Sequence, residues 1–164
     1  MAGAGLRAAG VLVAVLAADQ AAKALVVAGV RRGERDAIFP GVELVHVRNR
    51  GIAFGLLTDR GALLTVLIAA ALALLLAYFA LHVTRPLLWL PTGLLLGGAL
   101  GNMIDRARHG AVTDFIDLPL WPAFNLADVA ITAGVISLLL VLESNHRRGD
   151  PAPAGVRRAR DQEA

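Results

Sequence analysis

Residues 61–82 read GALLTVLIAAALALLLAYFALH, a run without a single Asp, Glu, Lys or Arg. A helix of this length crosses a bilayer hydrocarbon core, which needs about 20 residues. A helix on the surface of a soluble bundle would need a polar face, and this run has none. In lipid each backbone N–H and C=O must be paired within its own segment, so the run is predicted to be helical rather than extended. Residues 87–104 form a second uncharged stretch, joined to the first by a tight turn at Thr84-Arg85-Pro86. Two further apolar stretches lie at 8–30 and 124–142. The predicted fold class is all-α integral membrane, with four transmembrane helices at about 8–30, 61–82, 87–104 and 124–142.

Composition agrees. Of 164 residues 57% are hydrophobic, only 5% aromatic and 18% charged, which excludes both an ordinary soluble domain and a disordered chain. Arginine supplies 15 of the 16 basic residues. No basic stripe is interleaved with aromatics, so no nucleic-acid partner is expected. With no cysteine the chain has no disulfide, thiol nucleophile or thiolate metal site. His46, His82, His109 and His146 have no ligand-like spacing, and no metal is expected. The first stretch also reads as a secretory signal peptide, with Arg7 ahead of an Ala, Val and Leu run. Apolarity resumes after Asp19 and Lys23, which favours a retained span.

The connection from Arg31 to Arg60 is too long for an idle turn. Pro40-Gly41 punctuates it, and Val42 to Arg48 reads as a strand, so a small extracytoplasmic β-sheet is expected in this first outer loop. The chain divides into a membrane domain, 1–146, and a basic tail, 147–164, that reads as a disordered cytoplasmic arm. Four spans put both termini on one side. Arginine counts of seven and eight on the two sides do not say which, although the basic tail favours the cytoplasm.

Three ionisable residues fall within the spans: Asp19, Lys23 and Asp128. Each costs about 2.5–3.5 kcal/mol at a helix centre, so each needs a structural or functional reason. Asp19 and Lys23, four apart, share a helix face and read first as a structural ion pair turned to the bundle interior. Asp128 lies near the start of the fourth helix, with Pro122 as the expected helix starter and Asn125 on the same face. Asn102 and Arg106, flanking Asp105, end the third helix, where a basic residue suits the dipole. What stands out is convergence: Asp105, Arg106, Asp114, Asp117, Asn125 and Asp128 fall in one 24-residue window that leaves and re-enters the membrane on the same side. Two carboxylates brought close share a proton, and one can then act as base while the other acts as acid. The competing reading is a small transporter or ion-relay protein using Asp19, Lys23 and Asp128.

Five ordered blocks carry a resemblance: Asp19-Gln20-Ala21-Ala22-Lys23, Asn49-Arg50-Gly51-Ile52-Ala53-Phe54, Gly101-Asn102-Met103-Ile104-Asp105-Arg106, Val112-Thr113-Asp114-Phe115 and Phe124-Asn125-Leu126-Ala127-Asp128. In this order, and with fitting spans, they resemble bacterial lipoprotein signal peptidase, or signal peptidase II. The resemblance implies a membrane aspartic endopeptidase, without cofactor or metal. It would remove the signal peptide of a diacylglyceryl-modified prolipoprotein by cutting before the lipid-modified cysteine. It makes Asp114 and Asp128 the catalytic carboxylates. Asn49, Gly51, Asn102, Arg106 and Asn125 would hold substrate or orient the pair, and Asp105, Asp19 and Lys23 would support them. It further implies a monomer in contact with membrane phospholipid in the bacterial cytoplasmic membrane, termini in the cytoplasm and active site at the outer leaflet.

Overall fold

A computed structural model describes residues 2–50 and 61–149. The element order is α1 (Ala2–Gly29), β1 (Arg35–Phe39), β2 (Val42–Asn49), α2 (Gly61–Leu81), α3 (Trp89–His109), β3 (Val112–Leu118), β4 (Trp121–Phe124) and α4 (Leu126–Gly149). The expected four helices are present. By length and composition two of them, α1 and residues 126–144 of α4, are apolar enough to cross a membrane.

Several expectations are corrected. The expected small sheet is present, but it is larger and differently built. Strands from both long connections form one antiparallel sheet in the order β1-β2-β3-β4, so the sheet is not confined to the first loop. Glu43 pairs with Asp117 and Val47 with Asp114, which brings the two connections side by side. The third helix runs past the expected span end at Ile104 to His109, with Asp105 and Arg106 in its final turns. It stops at Gly110, whose φ of 67° is left-handed and whose N–H returns to Arg106 O at 2.9 Å. The fourth helix starts at Leu126, and Pro122 belongs to β4 instead of starting it. That helix continues to Gly149. The remaining tail, 150–164, and Gly51 lie outside the described residues.

The third helix owes its mixed character to packing. It lies between α1 and α4, and its small residues let those helices approach. A Cβ at Gly98 would come within 2.5 Å of Ala127 O, and one at Gly101 within 2.6 Å of Asp19 Oδ2. These contacts bring the first residues of α4 against Asp19. At the sheet end of α1, Val26 and Val30 form a buried cluster with Phe115, against which Leu44, Ile116 and Leu126 pack. The sheet is thereby docked on the helices, with β3 entering beneath them.

Candidate active site

Asn125 is the N-cap of α4, and Asp128 is the third residue of the helix. Asn125 Oδ1 accepts the N–H of Asp128 at 3.0 Å, while Asp128 Oδ2 accepts the N–H of Asn125 at 3.2 Å. This reciprocal pairing is a capping box, which satisfies two N–H groups at the helix start. A third is met by Asp19, whose Oδ1 accepts from Ala127 N at 2.9 Å. A helix start also favours a carboxylate electrostatically.

The same Asn125 reaches the other candidate carboxylate. Its Nδ2 donates to Asp114 Oδ1 at 2.7 Å, from a side chain with no solvent exposure. Asp114, 2% exposed on β3, also accepts from Asn49 Nδ2 of β2 at 2.9 Å. Strand register explains this, because Asn49 and Asp114 sit on paired, adjacent strands. Burial raises the Asp114 carboxyl from its ordinary 3.8 to about 6, and the charge of Asp128 adds to the rise. The donors Asn49 and Asn125, together with Lys23, oppose it. Asp114 is therefore suited to carry a proton near neutrality.

Asn102 lies between the site and its supporting ions. It donates from Nδ2 to Asp128 Oδ1 at 2.8 Å, and its Oδ1 accepts from Lys23 Nζ at 2.9 Å and from Asn125 Nδ2 at 3.2 Å. Lys23, 4% exposed, pairs with Asp19 at 2.8 Å and Asp105 at 3.2 Å. The expected Asp19–Lys23 pair is thus a three-ion cluster, and it faces the interior as expected. Asp105 Oδ2 also accepts the N–H of Thr113 at 2.9 Å, tying α3 to the strand that carries Asp114. Gln20, a residue not singled out from the sequence, donates to Gly101 O and Asp105 Oδ1, both at 3.3 Å. Its place inside the first block was the available signal.

Asp114, Asp128, Asn49, Asn102 and Arg106 all line one cavity of about 640 Å³. Arg106 is half-buried, with Nη1 3.5 Å from Asn102 O and with Asp128 and Asp114 in electrostatic range. Asp105, Asp19 and Lys23 are absent from the lining and stand behind it. Asp117 belongs elsewhere: it pairs with Arg35, which also pairs with Glu43, on the sheet. The cavity's other walls are apolar, with Ile68 and Leu72 from α2, Leu95 from α3 and Ile131 from α4. Trp121 and Pro122 of β4 close its sheet end, which sequence reading did not anticipate because the edge strand itself was not legible. Two carboxylates beside an apolar cavity can activate water on one and protonate a leaving group from the other. Asn102 links the Asp19–Lys23–Asp105 ions to Asp128, with Lys23 enclosed by two carboxylates and the Asn102 amide oxygen.

Comparison with known proteins gives a consistent result. Residues 11–143 match the family model described as signal peptidase (SPase) II. A lipoprotein signal peptidase of Halothermothrix orenii is 40% identical over 85% of this chain and 97% of its own length. One from Moorella thermoacetica is 43% identical over 84% of this chain and 94% of its own. Among solved structures, a bacterial membrane enzyme superposes with a TM-score of 0.80 at 28% identity, covering 90% of this chain and 93% of that one.

Proposed function

The chain belongs to the signal peptidase II family, and on that premise we propose that Asp114 and Asp128 are its catalytic pair. Membership makes the protein a membrane protease that removes signal peptides from prolipoproteins. The observation that carries the dyad is Asn125, which bonds Asp114 at 2.7 Å and Asp128 at 3.2 Å beside one shared cavity.

In this reading Asp128, at the helix start and facing the donor Asn102, is the resting carboxylate, and Asp114 carries the shared proton. Asp128 takes a proton from water as the water oxygen bonds to the scissile carbonyl carbon. Asp114 protonates the carbonyl oxygen to give a tetrahedral diol. On collapse the C–N bond breaks, the leaving amine takes up the proton held by Asp128, and one hydroxyl returns its proton to Asp114 as the new carboxyl forms, which resets the pair. Asn49, Asn102, Arg106 and Asn125 bind substrate or orient the pair, and Gly51 shares that role by its place in the second block. Asp105, Asp19 and Lys23 hold the framework.

The four helices are read as four spans with both termini in the cytoplasm of a bacterial cell and the sheet at the outer leaflet. The domain then comprises 1–146, followed by a cytoplasmic tail, and acts as a monomer among phospholipids. The substrate is a precursor whose cysteine already bears diacylglyceryl, with its apolar signal segment suited to the apolar walls of α2, α3 and α4. No cofactor enters the chemistry. The absence of native cysteine makes single-cysteine labelling clean. Reagent added outside should reach a cysteine at Arg32 or Arg108 and miss one at Gly3 or Thr84, and the reverse pattern would overturn the orientation. A lipid-modified precursor should be cut and its unmodified form left intact; equal cleavage of both would remove the lipid from the reading.

A further inference from the structure

A second cavity, of about 860 Å³, lies on the sheet. Its floor is the row Ala37, Glu43 and Asp117, paired across β1, β2 and β3. Arg35 bridges Glu43 and Asp117 along it. Its walls are the two hairpin turns, one presenting Phe39, 73% exposed, and the other Leu120, fully exposed. The turns meet at Gly41, where a Cβ would lie 3.8 Å from Pro119 Cγ. Trp121 and Pro122 line both this groove and the cavity of the two aspartates, so the two spaces adjoin.

Leu120 is unusual in its backbone. Its φ of 64° is left-handed, where Gly or Asn is the ordinary turn residue. A leucine there accepts strain and packs against no core. Strain retained at an exposed apolar side chain points to a contact outside the chain.

We propose that this groove holds the polypeptide on the mature side of the cleavage point, its first residues extended from the dyad across Trp121 towards Leu120 and Phe39. The inference rests on the dyad reading above. An apolar signal segment matches the helical walls of the catalytic cavity, so the part of the substrate beyond the cut leaves at the sheet end, where Trp121 and Pro122 stand. A lipid surface is the less suitable occupant, because three charged side chains on the floor would have to approach hydrocarbon. A peptide backbone can instead hydrogen-bond to them, with Phe39 and Leu120 covering its side chains.

The test compares two lipid-modified precursors, one ending two residues after the cysteine and one continuing for about ten. Wild-type protein should bind the longer with the lower KM. Leu120→Asn removes the side chain but suits the left-handed turn, so the protein should unfold at the same or a higher temperature. It should raise KM for the long precursor relative to the short one about tenfold, the scale of losing one buried leucine contact. No preference for the longer precursor in wild type would overturn the proposal. So would an equal KM increase for both precursors, which is the mark of a membrane anchor. The dyad is scored separately: Asp114→Asn should leave even the short precursor uncut, so failure of the dyad and failure of the groove give different patterns.

Discussion

Lys23 fixes the orientation of the Asn102 amide. Its Nζ lies 2.9 Å from Asn102 Oδ1, and an ammonium can only donate, so the amide oxygen must face it. The NH2 end is thereby turned to Asp128 Oδ1, 2.8 Å away. Which way an Asn side chain points is ordinarily an assignment, but here the partner's chemistry leaves one choice. A lysine behind the cavity wall thus holds a hydrogen-bond donor on a carboxylate in front of it.

Replacing that lysine should be costly. Lys23→Met would leave Asp19 and Asp105 buried without their cation, and breaking a buried ion cluster in this way typically costs about 3–5 kcal/mol. Thermal or denaturant unfolding in detergent micelles should report a loss of that order. A loss below about 1 kcal/mol, the scale of an exposed pair, would mean the cluster is effectively solvated.

Asp114 gives a pH signature. Its carboxyl is raised by burial to about 6 from 3.8, so the native state holds the proton more tightly than the unfolded chain does. The resulting stability is complete below the unfolded value and is lost as pH rises through about 6. Asp114→Asn, which cannot ionise, should therefore be more stable than wild type at pH 8 by on the order of 1–3 kcal/mol, with the gap closing by about pH 4. Denaturation at the two pH values checks this, and a gap that widens on acidification would reverse the sign. In cleavage assays the profile should be bell-shaped, with limbs that belong to the pair. Asn49→Ala removes a donor that favours the ionised form, so the alkaline limb should move upward.

Arg106→Lys keeps the charge but loses the rigid donor fork. Cleavage should fall at least about tenfold with helix content and membrane insertion retained. Undiminished cleavage would return Arg106 to a role in ending its helix, where Gly110 takes its carbonyl.

The apolar runs were legible because lipid imposes length and internal pairing on every span, and the helices fall close to where those runs do. Their ends were less legible. Asp105 and Arg106 lie beyond the uncharged run, yet α3 continues through them to His109, with Lys23 and Thr113 N satisfying Asp105 from neighbouring elements. Pro122 looks like a helix starter, but Asn125 and Asp128 form the cap, three residues later. The four-stranded sheet was only half visible. Val42 to Arg48 has a β-branched pattern, whereas β4 contains a proline and is only four residues long. The Asp19–Lys23 spacing announced an ion pair, and Asn125 beside Asp128 announced a hydrogen bond. That Asn49 reaches Asp114 depends on the pairing of β2 with β3, which no local pattern encodes.

The dyad itself is tested by replacing each aspartate with asparagine and measuring cleavage of a lipid-modified prolipoprotein by the purified, folded protein. Asn keeps the shape but can neither accept the water's proton nor protonate the carbonyl oxygen. Asp114→Asn and Asp128→Asn should each lower turnover by at least about 100-fold. The double variant should be little worse than either, because the two act as one unit. Asp36→Asn, exposed on β1, serves as the control and should cleave normally. Turnover near the wild-type rate in either Asp114→Asn or Asp128→Asn would contradict the account.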